Sequence, residues 1–293
     1  MSESHLGGAI FLGLITHGGS KYLNIFGKHE KFTNLIKELD IEKSFIHDFN
    51  ATDASLEKIV VRDEVISIFI LLKSLMQTQS RLLFKSNFYN FVLFTYHVLS
   101  GIYSAMKLLF KLQLSVFSIK YNQEYREMIA RQHNISEAHI TQLSNSLVSN
   151  LKYSLILEDD FIMNKTYLLN ETLSKIVKFM DKSPGVNVLS ISESFSPKLL
   201  GFSKASTYIP FEKLDFYNLS TPVTNTVSAM FYKSDILNRL IPILKSYRKY
   251  KIIPIDHKFN MAFFELGKIK ENSMITLSYL SPGVFIQGSI HGD

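Results

Sequence analysis

The chain has 293 residues, 46% of them apolar and 20% charged, enough to bury a substantial core as one large α/β domain or one domain with an insertion. Cysteine is absent, which excludes disulfides, zinc–thiolate centres and cysteine nucleophiles together and fits a reducing compartment. The formal net charge of +6 equals the sum over residues 65–120, where Lys73, Arg81, Lys85, Lys107, Lys111 and Lys120 occur without a single Asp or Glu.

Residues 1–8 lack the basic stretch of a secretory leader, and the apolar run 9–15 is short and interrupted by Gly13. It reads as the first strand of a sheet, ending in Thr16-His17-Gly18-Gly19, where glycines permit a tight turn and a close backbone approach to a ligand. Residues 28–39 place Phe32, Leu35, Ile36 and Leu39 at helical spacing. A second strand over 44–49 ends in Asn50-Ala51-Thr52-Asp53. Strand, helix and strand in this order predict the first half of a nucleotide-binding βαβ unit.

Residues 65–120 read as a helical insertion that is apolar nearly all round, so its helices are buried in a core or lie against lipid. The uncharged run 86–106 is long enough to span a bilayer. A single span would separate the strands at 9–15 and 44–49 from those that follow, and so split the sheet. Cations without acids favour an anionic membrane surface; the alternative is that the helices pack on the sheet with their lysines in solvent. Nucleic acid is not an expected partner, because the positive charge is sparse, embedded in aliphatic sequence and unaccompanied by a binding motif.

Tyr153 to Leu157 form a short apolar run, as a buried parallel strand would, and the run ends in Glu158-Asp159-Asp160. The second half alternates again. Residues 186–191 and 226–232 read as strands, and 235–247 as an amphipathic helix with Ile236, Leu237, Leu240 and Leu244 on one face. Pro254-Ile255-Asp256 then opens a helix through Phe259, Ala262 and Phe263, and residues 275–287 read as an irregular strand broken by Pro282-Gly283. No internal repeat is present.

Three adjacent carboxylates repel one another and need a cation or a functional gain to be tolerated. In open α/β sheets, ligands bind outside the carboxyl ends of strands, so this trio is placed to hold a hard divalent ion that neutralises a diphosphate. A solvated helix N-terminus accounts for the same tripeptide.

Further blocks accompany the trio. Upstream lies Ile135-Ser136-Glu137-Ala138-His139-Ile140; downstream lie Pro254-Ile255-Asp256 and Pro282 followed by Gln287 and Ser289. In order and spacing, residues 130–293 resemble the family 25 glycosyltransferases, which include bacterial lipooligosaccharide and collagen galactosyltransferases. The family's Ser-His pair reads Ala138-His139 here. The resemblance implies a GT-A-like Rossmann-type nucleotide-sugar-binding fold with an α-helical insertion. Its parts would be residues 1–60 as the first βαβ part, 61–130 as the basic apolar insertion, and 131–293 as the remainder of the catalytic domain.

It also implies roles. Asp160, then Asp159, would bind Mn²⁺ or Mg²⁺, and Glu158 would contact the sugar or ribose. His291 would complete the metal shell and favour Mn²⁺, a solvated tail being the alternative. Thr16 and Asp53 would lie against the uridine, and Asp53 serves equally as a helix N-cap. Gln287 and Ser289 would bind donor phosphates or merely close the sheet. Asp256 would be the general base of an inverting transfer, with a helix N-cap as the alternative. His139 would be a polar contact beneath the donor site.

The implied activity moves a hexose, galactose by family analogy, from a UDP-sugar to a glycan or glycolipid, as in lipopolysaccharide biosynthesis. The implied location is cytoplasmic, peripheral on the inner face of the membrane if the basic segment meets lipid. Two other classes use the same features: a metal-dependent nucleotidyltransferase and a non-catalytic membrane-associated scaffold.

Overall fold

In a computed structural model of the chain, the described residues are 9–14, 21–26, 43–47, 59–83, 88–148, 152–158, 161–192, 215–219, 224, 227–268, 276–281 and 283–287. Eight strands form one mixed sheet: β1 (Ala9–Leu14), β2 (Lys21–Phe26), β3 (Lys43–His47), β4 (Tyr153–Glu158), β6 (Val186–Ser190), β7 (Asp215–Leu219), β8 (Ala229–Lys233) and β9 (Thr276–Ser281). They lie in the order β3-β2-β1-β4-β8-β6-β9-β7, while β5 (Phe161–Met163) and β10 (Phe285–Gln287) pair as a separate ribbon. The helices are α1 (Val61–Leu83), α2 (Phe88–Phe117), α3 (Ile119–Val148), α4 (Leu169–Lys182), α5 (Ser234–Ser246) and α6 (Ile255–Lys268). The chain is thus an α/β protein of mixed helix and sheet.

β4 explains the layering. Its side chains alternate between faces, yet Tyr153, Leu155, Ile156 and Leu157 are all fully buried. Ile156 joins Val188, Met230 and Tyr232 in a core closed by α3, α5 and α6, while Tyr153, Leu155 and Leu157 join Leu189 and Phe231 in a second core closed by α4 and the β5–β10 ribbon. Covering both faces is what requires apolar side chains on both, and the one polar residue of the run, Ser154, is buried with its hydroxyl bonded to that of Ser146.

Strand direction departs from the sequence reading. β4 is expected to be parallel, but it runs antiparallel to both neighbours, β1 and β8. A run buried on both faces is apolar whichever way its neighbours point, so composition does not encode direction. The expected βαβ unit is corrected as well: β1 is followed by β2, a strand the sequence reading misses, and those two are antiparallel. The parallel pair is β2 with β3, across residues 27–42. The expected helix over 28–39 lies outside the described residues. The irregular last strand resolves into β9 and β10, which belong to different sheets.

The amphipathic helices follow from spacing. α4 buries Leu169, Leu173, Ile176 and Met180, and α5 buries Ile236, Leu237, Leu240, Ile241 and Leu244, in each case one face of a 3.6-residue repeat. The helical segment gathers its own cluster of Ile68, Ala105, Leu112, Tyr125 and Ile129, joined by Ile252 and Ile253 ahead of α6. The expected boundary at 130/131 falls inside α3, a single 30-residue helix, so helical segment and sheet share that element.

Phe179 on α4 stacks on Phe216 of β7 with ring centroids 3.8 Å apart, both buried. Phe179→Ala is expected to cost about 3–5 kcal/mol, read as a lower urea midpoint at unchanged slope. Phe110→Ala, at a side chain 60% exposed on α2, should stay within about 0.5 kcal/mol of the parent.

Candidate functional site

Pairing directions define the edge of the sheet at which Glu158 stands. β2, β3, β4, β6 and β9 run together toward it, while β1, β7 and β8 start from it. Glu158 ends β4 at this edge, and its backbone N–H donates to the Ser228 carbonyl at 2.8 Å. Ser190 and Ser192, at the end of β6, are buried with their hydroxyl oxygens 3.3 Å apart. Gln287 pairs in register with Phe161, the residue immediately after Asp160 in the sequence.

α3 fixes which way Glu158 faces. The Ser146 hydroxyl hydrogen-bonds that of Ser154, Leu143 lies in the same core as Ile156, and His139 Nε2 donates to Glu158 Oε1 at 3.3 Å. From Ser146 back to His139 is two helical turns, about 10 Å, and from Ser154 on to Glu158 is about 13 Å of strand. The two repeats match closely enough for helix and strand to meet at both ends. His139 is 1% exposed and its Nδ1 has no hydrogen-bond partner. Tyr232 on β8 also has a fully buried hydroxyl without a partner; burial, then the Glu158 charge, pushes it well above the usual phenol range.

α6 packs in the same layer as α3. Phe259 meets the His139 ring edge-on at 6.2 Å and the Tyr232 ring at 6.2 Å. Asp256 stands in the first turn of α6, where the helix dipole favours an acid. It shares a face with Asn260, one turn on. Asn260 holds the backbone of Thr224 from both sides, accepting its N–H at 2.7 Å and donating to its carbonyl at 2.8 Å. Asp256 therefore belongs to a helix packed on the partner of Glu158 and pinned to the segment that leads into β8.

Beneath lies a charged cluster that the sequence reading missed. Lys258 is fully buried and donates from Nζ to Ser136 Oγ at 3.0 Å. Burial lowers its ammonium from the ordinary value near 10.5 to about 8, against the opposing charge of Glu137. Glu137 pairs with Arg248 at 2.8 Å. Burial also lowers the His133 imidazole, with Glu137 opposing and Lys258 and Arg248 reinforcing the shift. A lysine on a helix ordinarily reads as solvated, so only the Ser136-Glu137 dipeptide opposite it carried a signal.

The predicted site residues divide accordingly. Glu158 stands at this edge, Asp256 in the first turn of α6, and Gln287 ends β10 in register with Phe161. Thr16, Asp53, Asp159, Asp160, Ser289 and His291 lie outside the described residues. β1 ends with Leu14 opposite Tyr153, so its carboxyl end is at the far end of β4 from Glu158; β3 ends on the Glu158 side. Among the described residues no three His, Asp or Glu side chains converge as a metal site would require. No protein-family model, curated protein or solved structure matches the chain.

Lys258 carries a pH prediction. Its pKa is lower folded than unfolded, so the unfolded chain holds the extra proton between about 8 and 10.5, and this group's contribution to stability rises with pH through that window. Relative to a Lys258→Met variant, the parent should gain on the order of 2 kcal/mol between pH 7 and 9.5, measured by urea unfolding. Parallel pH curves would refute the shift.

Proposed function

We propose that the chain is a metal-dependent glycosyltransferase that moves a hexose, galactose by family analogy, from a UDP-sugar to a glycan or glycolipid acceptor with inversion, on a GT-A-like fold. The observation that carries this reading is Glu158: a buried central strand delivers it to the sheet edge, a buried histidine holds it there, and Asp159-Asp160 follow at once. The donor set suits the reaction. Two carboxylates directly after Glu158 are the hard oxygen ligands that Mn²⁺ or Mg²⁺ takes, and Glu158, already bonded to His139, is left to contact sugar or ribose. When bound, such an ion would neutralise the charge that the departing diphosphate accumulates.

The chain's own residues supply the rest. Asp256 accepts the proton of the acceptor hydroxyl as that oxygen attacks the anomeric carbon, while the bond from that carbon to the nucleoside diphosphate breaks. His139 orients Glu158 from below, and Phe259, Tyr232 and Ile156 enclose that pair in a buried layer. Nucleotidyl transfer would use the same acidic strand end, and the products distinguish the two. Release of free sugar and UDP from a UDP-sugar marks glycosyl transfer to water; release of sugar 1-phosphate and UMP marks nucleotidyl transfer.

Calorimetric titration with UDP and Mn²⁺ tests the site directly. The parent should bind both together, and Asp160→Asn should abolish metal-dependent binding while leaving the melting temperature in place. Equal binding by parent and variant would remove the acidic trio from the site. Asp256→Asn should keep donor affinity and lower turnover by roughly a hundredfold or more. An equal loss of both would make Asp256 a helix-terminal group instead.

A further inference from the structure

We propose that α2 lies in the plane of an anionic lipid bilayer, with its exposed face inserted among the headgroups. α2 contains a 27-residue stretch, Phe91–Phe117, apolar enough to cross a membrane, yet little of it is covered by the protein. The helix has two apolar faces. Ala105 and Leu112 pack against Ile68, Tyr125 and Ile129 on one side. On the opposite side Val92, Tyr96, Leu99, Tyr103, Met106 and Phe110 recur at alternating spacings of four and three, continued by Phe117 after the exposed Gln113. Leu99 is 61% exposed, Tyr103 69% and Phe117 81%. A contiguous apolar stripe of this length on an accessible surface marks a contact site rather than ordinary surface.

Three observations choose lipid as the occupant. First, charge: Lys107 and Lys111 follow Met106 and Phe110 and rim the stripe, exposed, in a segment of six cations and no acid. A second copy would set these lysines against the same acid-free surface, whereas anionic headgroups complement them. Second, Tyr96 and Tyr103 combine an apolar ring with a polar tip, the pattern of side chains at a membrane–water interface. Third, orientation: α3 packs on α2, with Ala105 and Leu112 in one cluster with Tyr125 and Ile129, and it carries Glu124, Arg126, Glu127 and Arg131. A spanning α2 would draw those charges into hydrocarbon, and a helix lying in the interface leaves them in water. The pairing of β1 with β4 agrees, because strands before and after the helices share one sheet and so lie on one side of the membrane.

The chain has no tryptophan, so Tyr103→Trp installs a single reporter at the centre of the stripe. The full-length variant, mixed with vesicles of phosphatidylcholine and phosphatidylglycerol in equal parts, should shift its emission to the blue and co-sediment with them. Pure phosphatidylcholine vesicles should bind it weakly, and rising salt should release it. Lys107→Gln with Lys111→Gln should weaken partitioning roughly thirtyfold, and Leu99→Ser with Phe110→Ser at least tenfold. Both pairs are exposed, and circular dichroism should show an unchanged fold. Absence of a blue shift and of co-sedimentation with the anionic vesicles would overturn the proposal. So would a dimer without vesicles that Leu99→Ser with Phe110→Ser dissolves, since the stripe would then be covered by a second copy.

Discussion

The structure depends on the burial of β4 from both sides. Five consecutive side chains without solvent exposure, Tyr153 to Leu157, commit the central strand to two covering layers, and each layer must bring its own apolar face. The amphipathic spacing of α4, α5 and α6 meets that demand. Burial also explains why the strand's one carboxylate comes last: an ionised Glu158 is tolerable only where β4 emerges, beside a hydrogen-bond donor.

From that constraint the site acquires its polar floor. α3 lies on β4 with serine over serine at one end and histidine over glutamate at the other, so a helix that closes a core also orients a functional group. The unpartnered His139 Nδ1 and Tyr232 hydroxyl are costly in an apolar setting, and side chains that break the rule of satisfied burial concentrate where a protein acts. Lys258 belongs to the same layer. Its buried ammonium ties α6 to Ser136 on α3, three residues from His139, so the helix that carries Asp256 is clamped to the helix that holds Glu158. In the proposed reading, the acid–base and donor-binding carboxylates are thereby supported by one helix pair.

The helical segment uses the opposite logic. α2 has one apolar face inside the protein and another outside, and no acidic residue over 65–120 offsets its lysines. If that face meets an anionic bilayer and the acceptor is a glycolipid, enzyme and acceptor occupy one surface, and the search for substrate becomes two-dimensional. α3 spans both parts, carrying Tyr125 and Ile129 in the cluster with α2 and His139 against Glu158.

Much of the element list was legible in the sequence, because helical spacing and short apolar runs are local signals. The strands now seen as β1, β3, β4, β6 and β8, the helices α5 and α6 and the helical character of 65–120 were all read this way, within a few residues at their ends. So was the coincidence of a strand end with Glu158. Strand direction was not legible: two-sided burial makes antiparallel β4 as apolar as a parallel strand. Nor was the partner of each polar group, since His139 with Glu158, Lys258 with Ser136 and Asn260 with Thr224 are 19, 122 and 36 residues apart. Sequence by itself determined which segments are helix or strand and where charge accumulates, because those depend on neighbours along the chain. Tertiary structure alone decided which face of α2 is left uncovered and which carboxylate is held by which base, because those depend on how distant elements pack.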